Sequence, residues 1–188
     1  GIKIHMTRTT DKYLSLSQRA QFANSKKADL FVSVHINAGG GTGYEDFIHN
    51  SLSNSSSTAK MRDAFHKEVV KEQSFWRNRG KKKANFAVLR ETKMAAILTE
   101  NGFIDNKNDA DKLKKSSYLD KIAKGHAEGI AKALNLKKKT TSSTSKNTTT
   151  STKKTNSKKT YYRVVAGSYT ERKNADAQVA RLKKAGFD

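Results

Sequence analysis

A short apolar run ends beside three glycines in "DLFVSVHINAGGG", residues 29–41. Only Ser33 and His35 interrupt the aliphatic and aromatic residues between Leu30 and Ile36. Such a run is typical of a strand that is covered on both faces, as in a parallel sheet. Open α/β sheets bind ligands beyond the carboxyl ends of their strands, where glycines let the backbone approach a ligand. The run therefore predicts a strand that delivers His35 to a ligand site; the alternative is a core histidine bonded to a neighbour.

A second stretch, "MAAILTENGFIDN" (residues 94–106), has the same construction. Its apolar residues predict a strand that carries Glu100, and Gly102 follows closely. An acid at a strand end is costly to bury unless it is paired, protonated or bound to a metal. A histidine and a glutamate at two strand ends are parts of a zinc hydrolase, in which imidazole binds Zn²⁺ and carboxylate moves a proton. The alternative for Glu100 is a salt bridge to one of the many lysines.

The composition limits both the metal ligands and the partners. The 188 residues carry a formal charge of +21 and no cysteine, so histidine, aspartate and glutamate are the ligands left for a metal. The positive charge indicates a polyanionic partner, either nucleic acid or an anionic cell-wall polymer. No apolar segment is long enough to predict a membrane span, and the first residues do not resemble a signal peptide.

Residues 137–160 contain only lysine, threonine, serine and asparagine, with eight lysines and no acid. They have no apolar side chain with which to form a core, which predicts a flexible linker. The linker divides the chain into a body, residues 1–136, and a tail, residues 161–188.

The body alternates between strand and helix patterns. The first predicted elements are a strand at residues 2–6, a helix with Leu16, Ala20 and Ala23 on its buried face, and the strand that bears His35. A strand at residues 43–50 and a helix at residues 59–73 follow. The last are strands in "ANFAVLR" (84–90) and "AAILTE" (95–100) and a closing helix. Ser117 and Asp120 resemble a capping box for that last helix, and "RGKKK" (79–83) has the composition of a solvated turn. This alternation predicts an α/β fold with a mostly parallel sheet flanked by helices.

The remaining histidines are weaker candidates for the site. His126 lies on the apolar stripe of the closing helix and is predicted to be a packing histidine. His5 and His66 have no convincing acidic or histidine companion in the sequence. Glu45 and His49 share the strand that follows the glycines, so they are candidates of second rank for completing a metal site.

Two segments together closely resemble the zinc-dependent N-acetylmuramoyl-L-alanine amidases of the third amidase family, and the sporulation cell-wall amidases in particular. They are "TRTTDKYLSLSQRAQFANSKKADLFVSVHINAGGGTGYEDFI" (7–48) and "RGKKKANFAVLRETKMAAILTENGFIDN" (79–106), and the likeness covers residues 2–136. "SVHINA" resembles the family segment that carries a zinc histidine, which makes His35 a metal ligand. "LTENGF" resembles the segment that carries the catalytic carboxylate, which makes Glu100 that residue. The resemblance implies a secreted peptidoglycan hydrolase that depends on Zn²⁺ and cleaves the amide bond between N-acetylmuramoyl and L-alanine, as a sporulation autolysin would.

The resemblance also implies that part of the family's site is absent from this sequence. Members begin with a strand that leads to a "DPGHGG"-like motif with the first zinc histidine, and a glutamate ligand follows. Neither motif occurs here, so His35 is the one ligand kept from a His-Glu-His site. We therefore expect a fragment that lacks the N-terminal strand and helix and exposes a sheet edge.

The tail "YYRVVAGSYTERKNADAQVARLKKAGFD" (161–188) resembles the opening of a SPOR repeat, a peptidoglycan-binding module with a ferredoxin-like fold. Only a first strand and helix would be present, and we expect nothing to pair with them. A generic strand–helix unit is the alternative.

Two rival functions follow from the charge. The chain could be a non-catalytic cell-wall-binding protein that relies on its basic surface and partial SPOR unit. It could instead bind nucleic acid through the lysine-rich linker, although that linker has no aromatic residues on which bases could stack. The expected partners are peptidoglycan and anionic cell-wall polymers, with no specific nucleic acid and an extracellular or cell-wall location.

Overall fold

A computed structural model describes residues 2–137 and the backbone of residues 162–166. The elements in chain order are β1 (Ile2–His5), α1 (Leu16–Ser25), β2 (Leu30–Asn37), β3 (Tyr44–His49), α2 (Ser57–Glu72), β4 (Asn78–Ala84), α3 (Ala87–Glu91), β5 (Ala95–Phe103), α4 (Lys107–Leu113), α5 (Ser116–Ala133) and β6 (Tyr162–Ala166). None of the helices in these ranges is long and apolar enough to cross a membrane.

The strands form one sheet in the order β1-β6-β2-β5-β3-β4. Every neighbouring pair is parallel except β3 and β5, which run antiparallel. Helices cover both faces of the sheet, as its alternating apolar residues require. The predicted α/β fold with a mostly parallel sheet flanked by helices is confirmed.

Alternate residues of β2 pack into two separate cores. Leu30 and Val32 are buried beneath α2 and α5 in the larger core, whereas Phe31 packs with residues of α1 and α3 in the smaller one. Val34 is partly buried against the larger core, and Ile36 is 49% exposed. The strand is therefore buried on both faces where it begins and is open to solvent where it ends.

His126 of α5 is a packing histidine, as predicted. It is buried, its Nδ1 donates to the Ile122 carbonyl oxygen at 2.8 Å, and its Nε2 lies 2.9 Å from Thr99 Oγ1. Burial lowers the pKa of His126 to about 4, so the imidazole is neutral near pH 7.

The prediction that His66 has no acidic companion is wrong. His66 of α2 is buried, and its Nδ1 lies 2.6 Å from Asp46 Oδ2 of β3. Tyr44 Oη also donates to Asp46, at 3.0 Å. The contact crosses from helix to sheet over twenty residues of chain, so the local pattern around His66 contains no sign of it.

Two elements between residues 78 and 91 differ from the predictions. "RGKKK" is part of strand β4 rather than a turn, and "ANFAVLR" leads into helix α3 rather than forming a strand. β4 is an edge strand, where lysines are common because they hinder pairing with other chains. Val88 and Leu89 of α3 are buried in the smaller core, and a short apolar run does not by itself distinguish a strand from a buried helical turn.

The helix starts were also predicted incompletely. α5 begins at Ser116 after Lys115, with no side-chain cap, so the capping box assigned to Ser117 and Asp120 is wrong. The capping box present belongs to α1, where Ser15 Oγ accepts from the Gln18 N–H at 3.2 Å and Gln18 Oε1 accepts from the Ser15 N–H at 2.9 Å. Leu16, which was expected on the buried face of its helix, is exposed. Helix α4 was not predicted.

The strand of the tail is paired, contrary to expectation. Backbone pairing sets Tyr162 of β6 beside Ile2 of β1, and Val164 beside Leu30 of β2, both in parallel. β6 thus fills the space between β1 and β2, where we expected an exposed edge. A facing pair of open strand edges presents unpaired N–H and C=O groups, which an added strand satisfies. The predicted linker (beyond Lys137) and the predicted tail helix lie outside the described residues.

Candidate active site

His35 and Glu100 lie side by side on neighbouring strands. They are register partners in the parallel pair of β2 and β5, so their side chains leave the same face of the sheet. The Asn101 side chain ties the strands together here by donating to the His35 carbonyl oxygen at 3.0 Å. The fold therefore brings together the two residues that the sequence singled out.

Glu45 joins them from the other side of β5. In the antiparallel pair of β3 and β5 it stands directly opposite Glu100. Glu45 is 3% exposed. Its carboxylate accepts from Asn37 Nδ2 and Arg79 Nε, both at 2.8 Å, and from Lys82 Nζ.

These partners keep Glu45 ionised. Burial alone would raise the pKa of its carboxyl, but the hydrogen bonds and charges of Lys82 and Arg79 outweigh burial and lower it. The structure therefore places a fixed negative charge opposite Glu100.

Glu100 has the opposite electrostatic environment. Burial, and then the negative charge of Glu45, raise the pKa of Glu100 to about 7. Its Oε2 is buried and accepts no hydrogen bond from the described residues. A carboxyl group with a pKa near neutrality is suited to both accepting and releasing a proton near pH 7.

This raised pKa predicts a measurable pH dependence of stability. The folded state binds the Glu100 proton more tightly than the unfolded state does. Protonated Glu100 therefore contributes fully to the free energy of unfolding below about pH 4.5, and this contribution is lost as the pH rises through about 7. The shift corresponds to about 3 kcal/mol before solvent screening, and we expect about 1–2 kcal/mol for a half-buried group.

The measurement is urea unfolding between pH 4.5 and 8 for the wild type and Glu100→Gln. The difference between the two curves removes the contribution of other groups such as His126, whose lowered pKa acts in the opposite direction. The wild type should lose stability relative to the variant as the pH rises. Parallel curves would contradict the raised pKa.

His35 sits at the open end of β2. Its side chain reaches solvent, yet the surrounding protein desolvates the ring and, together with the positive charge of Arg19, lowers the pKa of His35. Its Nε2 is 3.0 Å from Ser33 Oγ. A neutral imidazole is the form that binds a metal ion.

Gly102 allows β5 to bulge immediately after Glu100. The register shifts so that Asn37 pairs with Phe103, and Gly102 has φ = +77°. A Cβ at this position would lie 2.5 Å from the Trp76 ring. The glycine in "TENGF" is thus required by backbone conformation and by close packing.

Two aspartates hold the glycine loop that follows β2. Asp105 Oδ2 accepts from the N–H groups of Gly39 and Gly40, each at 2.8 Å. The fully buried Asp109 accepts from Gly43 N–H at 3.0 Å and from Phe103 N–H at 3.1 Å. The loop is therefore fastened to the carboxyl end of β5, beside Glu100.

The two second-rank candidates for the site, Glu45 and His49, lie in different places in the structure. Glu45 belongs to the site, whereas His49 lies at the far end of β3, with Nδ1 2.7 Å from Ser51 Oγ and Nε2 3.1 Å from Asn85 Oδ1. Sequence reasoning missed Arg79, Lys82 and Asp109. The lysines of "RGKKK" were visible, but the strand that aims one of them at Glu45 was not predicted.

The described residues do not by themselves fit a catalytic zinc ion. Such a site uses three protein ligands and an open position, and within residues 2–137 no three histidine, aspartate or glutamate side chains form a cluster able to hold a metal. Within the described ranges, His35 is the imidazole that the strand register sets beside Glu100. We therefore derive no chemical step through zinc from these residues.

Two known protein families match parts of this chain. Residues 1–132 match the family described as N-acetylmuramoyl-L-alanine amidase, and residues 127–188 match the SPOR domain. The chain belongs to the N-acetylmuramoyl-L-alanine amidase family, and the resemblance deduced from "SVHINA" and "LTENGF" is confirmed.

Individual relatives agree with this assignment. The chain is similar over its whole length to the N-acetylmuramoyl-L-alanine amidase CwlM of Bacillus licheniformis, at 44% identity, and to the sporulation-specific N-acetylmuramoyl-L-alanine amidase of Bacillus subtilis (strain 168), at 41%. It spans 66% of the length of each. The catalytic domain of the amidase CwlV from Bacillus (Paenibacillus) polymyxa var. colistinus superposes with a TM-score of 0.64 at 32% identity, covering 70% of this chain and 72% of that one.

Proposed function

We propose that the protein hydrolyses the amide bond between N-acetylmuramic acid and L-alanine in peptidoglycan, with Glu100 as the residue that moves the proton. The observation that supports this most is the pairing of Glu100, whose pKa is raised to about 7, with His35 at the carboxyl end of the sheet. Membership of the amidase family supplies the substrate class.

Glu100 would act first as a base and then as an acid. Its carboxylate takes a proton from a water molecule, whose oxygen adds to the amide carbonyl carbon of the lactyl group. The C–N bond then breaks, and the proton passes from Glu100 to the departing nitrogen of L-alanine. The products are a carboxylate on the glycan and a free amino terminus on the peptide. Glu45 would assist by keeping the proton affinity of Glu100 high.

We also propose His35 as a ligand of Zn²⁺, as the family resemblance implies. Because the described residues supply one imidazole at this place and a zinc site needs three protein ligands, His35 would not hold the ion tightly by itself. We expect the 188-residue chain to retain far less than one zinc per chain after dialysis, as measured by atomic absorption. About one retained zinc would show that the ligand set is already complete.

The two family matches suggest that different parts of the chain have different functions. We propose that residues 1–136 form the catalytic body, residues 137–160 a linker, and residues 161–188 part of a SPOR unit that binds peptidoglycan. With a charge of +21, the protein would also be attracted to anionic wall polymers. This organisation suits an extracellular cell-wall hydrolase acting in sporulation.

The test is the chemistry of wall digestion by the protein in the presence of added Zn²⁺. Purified cell walls should release new amino termini of L-alanine without new reducing sugar ends. Co-sedimentation with walls and no new amino termini would instead support the alternative of a non-catalytic wall-binding protein.

A further inference from the structure

A polar cavity lies next to the glycine loop and is not used by the proposed chemistry. Its volume is about 400 Å³. Three segments meet there: the loop after β2, the start of β4 and the turn between β5 and α4. The lining residues are Gly40, Gly41, Thr42, Arg77, Arg79, Asp105 and Asn106.

Arg79 is held in place from two sides. Its Nε donates to Glu45 Oε2 at 2.8 Å, and its guanidinium carbon lies 4.9 Å from the centre of the Phe103 ring. These contacts limit the freedom of the side chain, and its other guanidinium N–H groups have no hydrogen-bond partner among the residues that the structure describes. Arg79 thereby connects the cavity to Glu45, which faces Glu100 across the sheet.

Arg77 is fixed through its backbone and free at its side chain. Its carbonyl oxygen accepts from the Tyr44 N–H at 2.8 Å, and a Cβ at Gly43 would come within 2.1 Å of the same oxygen. The guanidinium of Arg77 is exposed and has no hydrogen-bond or ion-pair partner among the residues that the structure describes. It is a cation available for a ligand.

The lining side chains carry two positive charges and one negative charge, and one of the positive charges, that of Arg79, is paired with Glu45. Asp105 is the one acid in its lining, against two arginines. One oxygen of Asp105 already accepts from the N–H groups of Gly39 and Gly40, which holds this carboxylate against the loop backbone and leaves Arg77 as the lining cation with no partner among the described residues. Guanidinium groups bind carboxylates with paired hydrogen bonds, and this cavity has the size of a small-molecule site rather than of a polymer groove.

We propose that this cavity binds a carboxylate of the peptide part of the substrate, with Arg77 as the main contact and Arg79 as its neighbour. The choice of ligand rests on the proposed amidase function, because a peptide that begins with L-alanine is the leaving group. Arg77 would then determine specificity for acidic over amidated peptides.

The experiment measures peptide binding without turnover. N-Acetyl-L-alanyl-glutamate and the neutral N-acetyl-L-alanyl-glutamine amide are titrated separately into the 188-residue chain, and binding is followed by NMR chemical shifts. We expect the acidic peptide to bind at least about tenfold more tightly, because hydrogen bonds between charged partners are lost with the amide. Arg77→Gln should abolish this preference. Lys60→Gln, which removes the same charge from an exposed site on α2, should preserve it.

Three results would overturn the inference: equal binding of the two peptides, no binding of either, or an unchanged preference in Arg77→Gln. A fourth would be tighter binding of glycerol 3-phosphate than of the acidic peptide, since that would assign the cavity to wall phosphates. The amidase function fails separately, through the absence of new amino termini from cell walls. A failure of either idea can thus be told from a failure of the other.

Discussion

Replacing Glu100 with glutamine is expected to lower amide hydrolysis by about a hundredfold to ten-thousandfold, the usual contribution of a general acid–base group. Glutamine has nearly the same shape but cannot accept or release a proton at neutral pH. The assay is the release of L-alanine amino termini from purified walls. Because Glu100 carries a raised pKa and lacks a hydrogen-bond partner for Oε2 among the described residues, the substitution should not disturb the fold.

The matched control is Glu72→Gln, which removes a carboxylate that pairs with Lys124 on the surface of α2. Its activity should equal that of the wild type, since exposed ion pairs contribute little. Activity of Glu100→Gln within about tenfold of the wild type would exclude Glu100 as the proton-transfer residue.

Replacing Asp109 with alanine is expected to destabilise the folded chain by about 3–5 kcal/mol. Asp109 is fully buried and accepts hydrogen bonds from Thr42 Oγ1 at 2.9 Å, Gly43 N–H at 3.0 Å and Phe103 N–H at 3.1 Å. Alanine would leave these donors without an acceptor. In a domain of this size the loss lowers the unfolding temperature by about 10 °C or more, which differential scanning calorimetry would detect.

Two further variants show whether the cause is the buried carboxylate. Asp109→Asn keeps one acceptor oxygen and should lose less stability than alanine. Asp111→Ala removes an exposed acid from the same helix, where it pairs with Lys107 and Lys114, and should leave the unfolding temperature nearly unchanged. Equal effects of Asp109→Ala and Asp111→Ala would mean that the buried hydrogen bonds contribute nothing specific.

The strands of the body were predictable where their apolar runs were long. β2 and β5 each bury several consecutive residues, and this continuity is what a two-sided strand requires. Predictions failed where the apolar signal was short. β4 has almost no apolar residues, because it is an edge strand, and α3 has too few residues to display a helical period.

The candidate site was predictable in part for the same reason. Both His35 and Glu100 stand at the ends of recognisable strands, and parallel strands place their carboxyl ends together. Glu45 was noticed only as a neighbour in sequence. Its pairing opposite Glu100, and the cations that hold it, depend on an antiparallel contact between β3 and β5 that leaves no local pattern.

The sequence alone determined the α/β alternation, the membership of the amidase family, and the strand ends that carry His35 and Glu100. Those features are local, since hydrophobic period and short motifs are read within a few residues. Only the tertiary structure decided the raised pKa of Glu100, the buried Asp109 that anchors the glycine loop, and the cavity between Arg77 and Arg79. Each of these depends on distances between residues far apart in the chain, because electrostatic and hydrogen-bond energies follow separation in space.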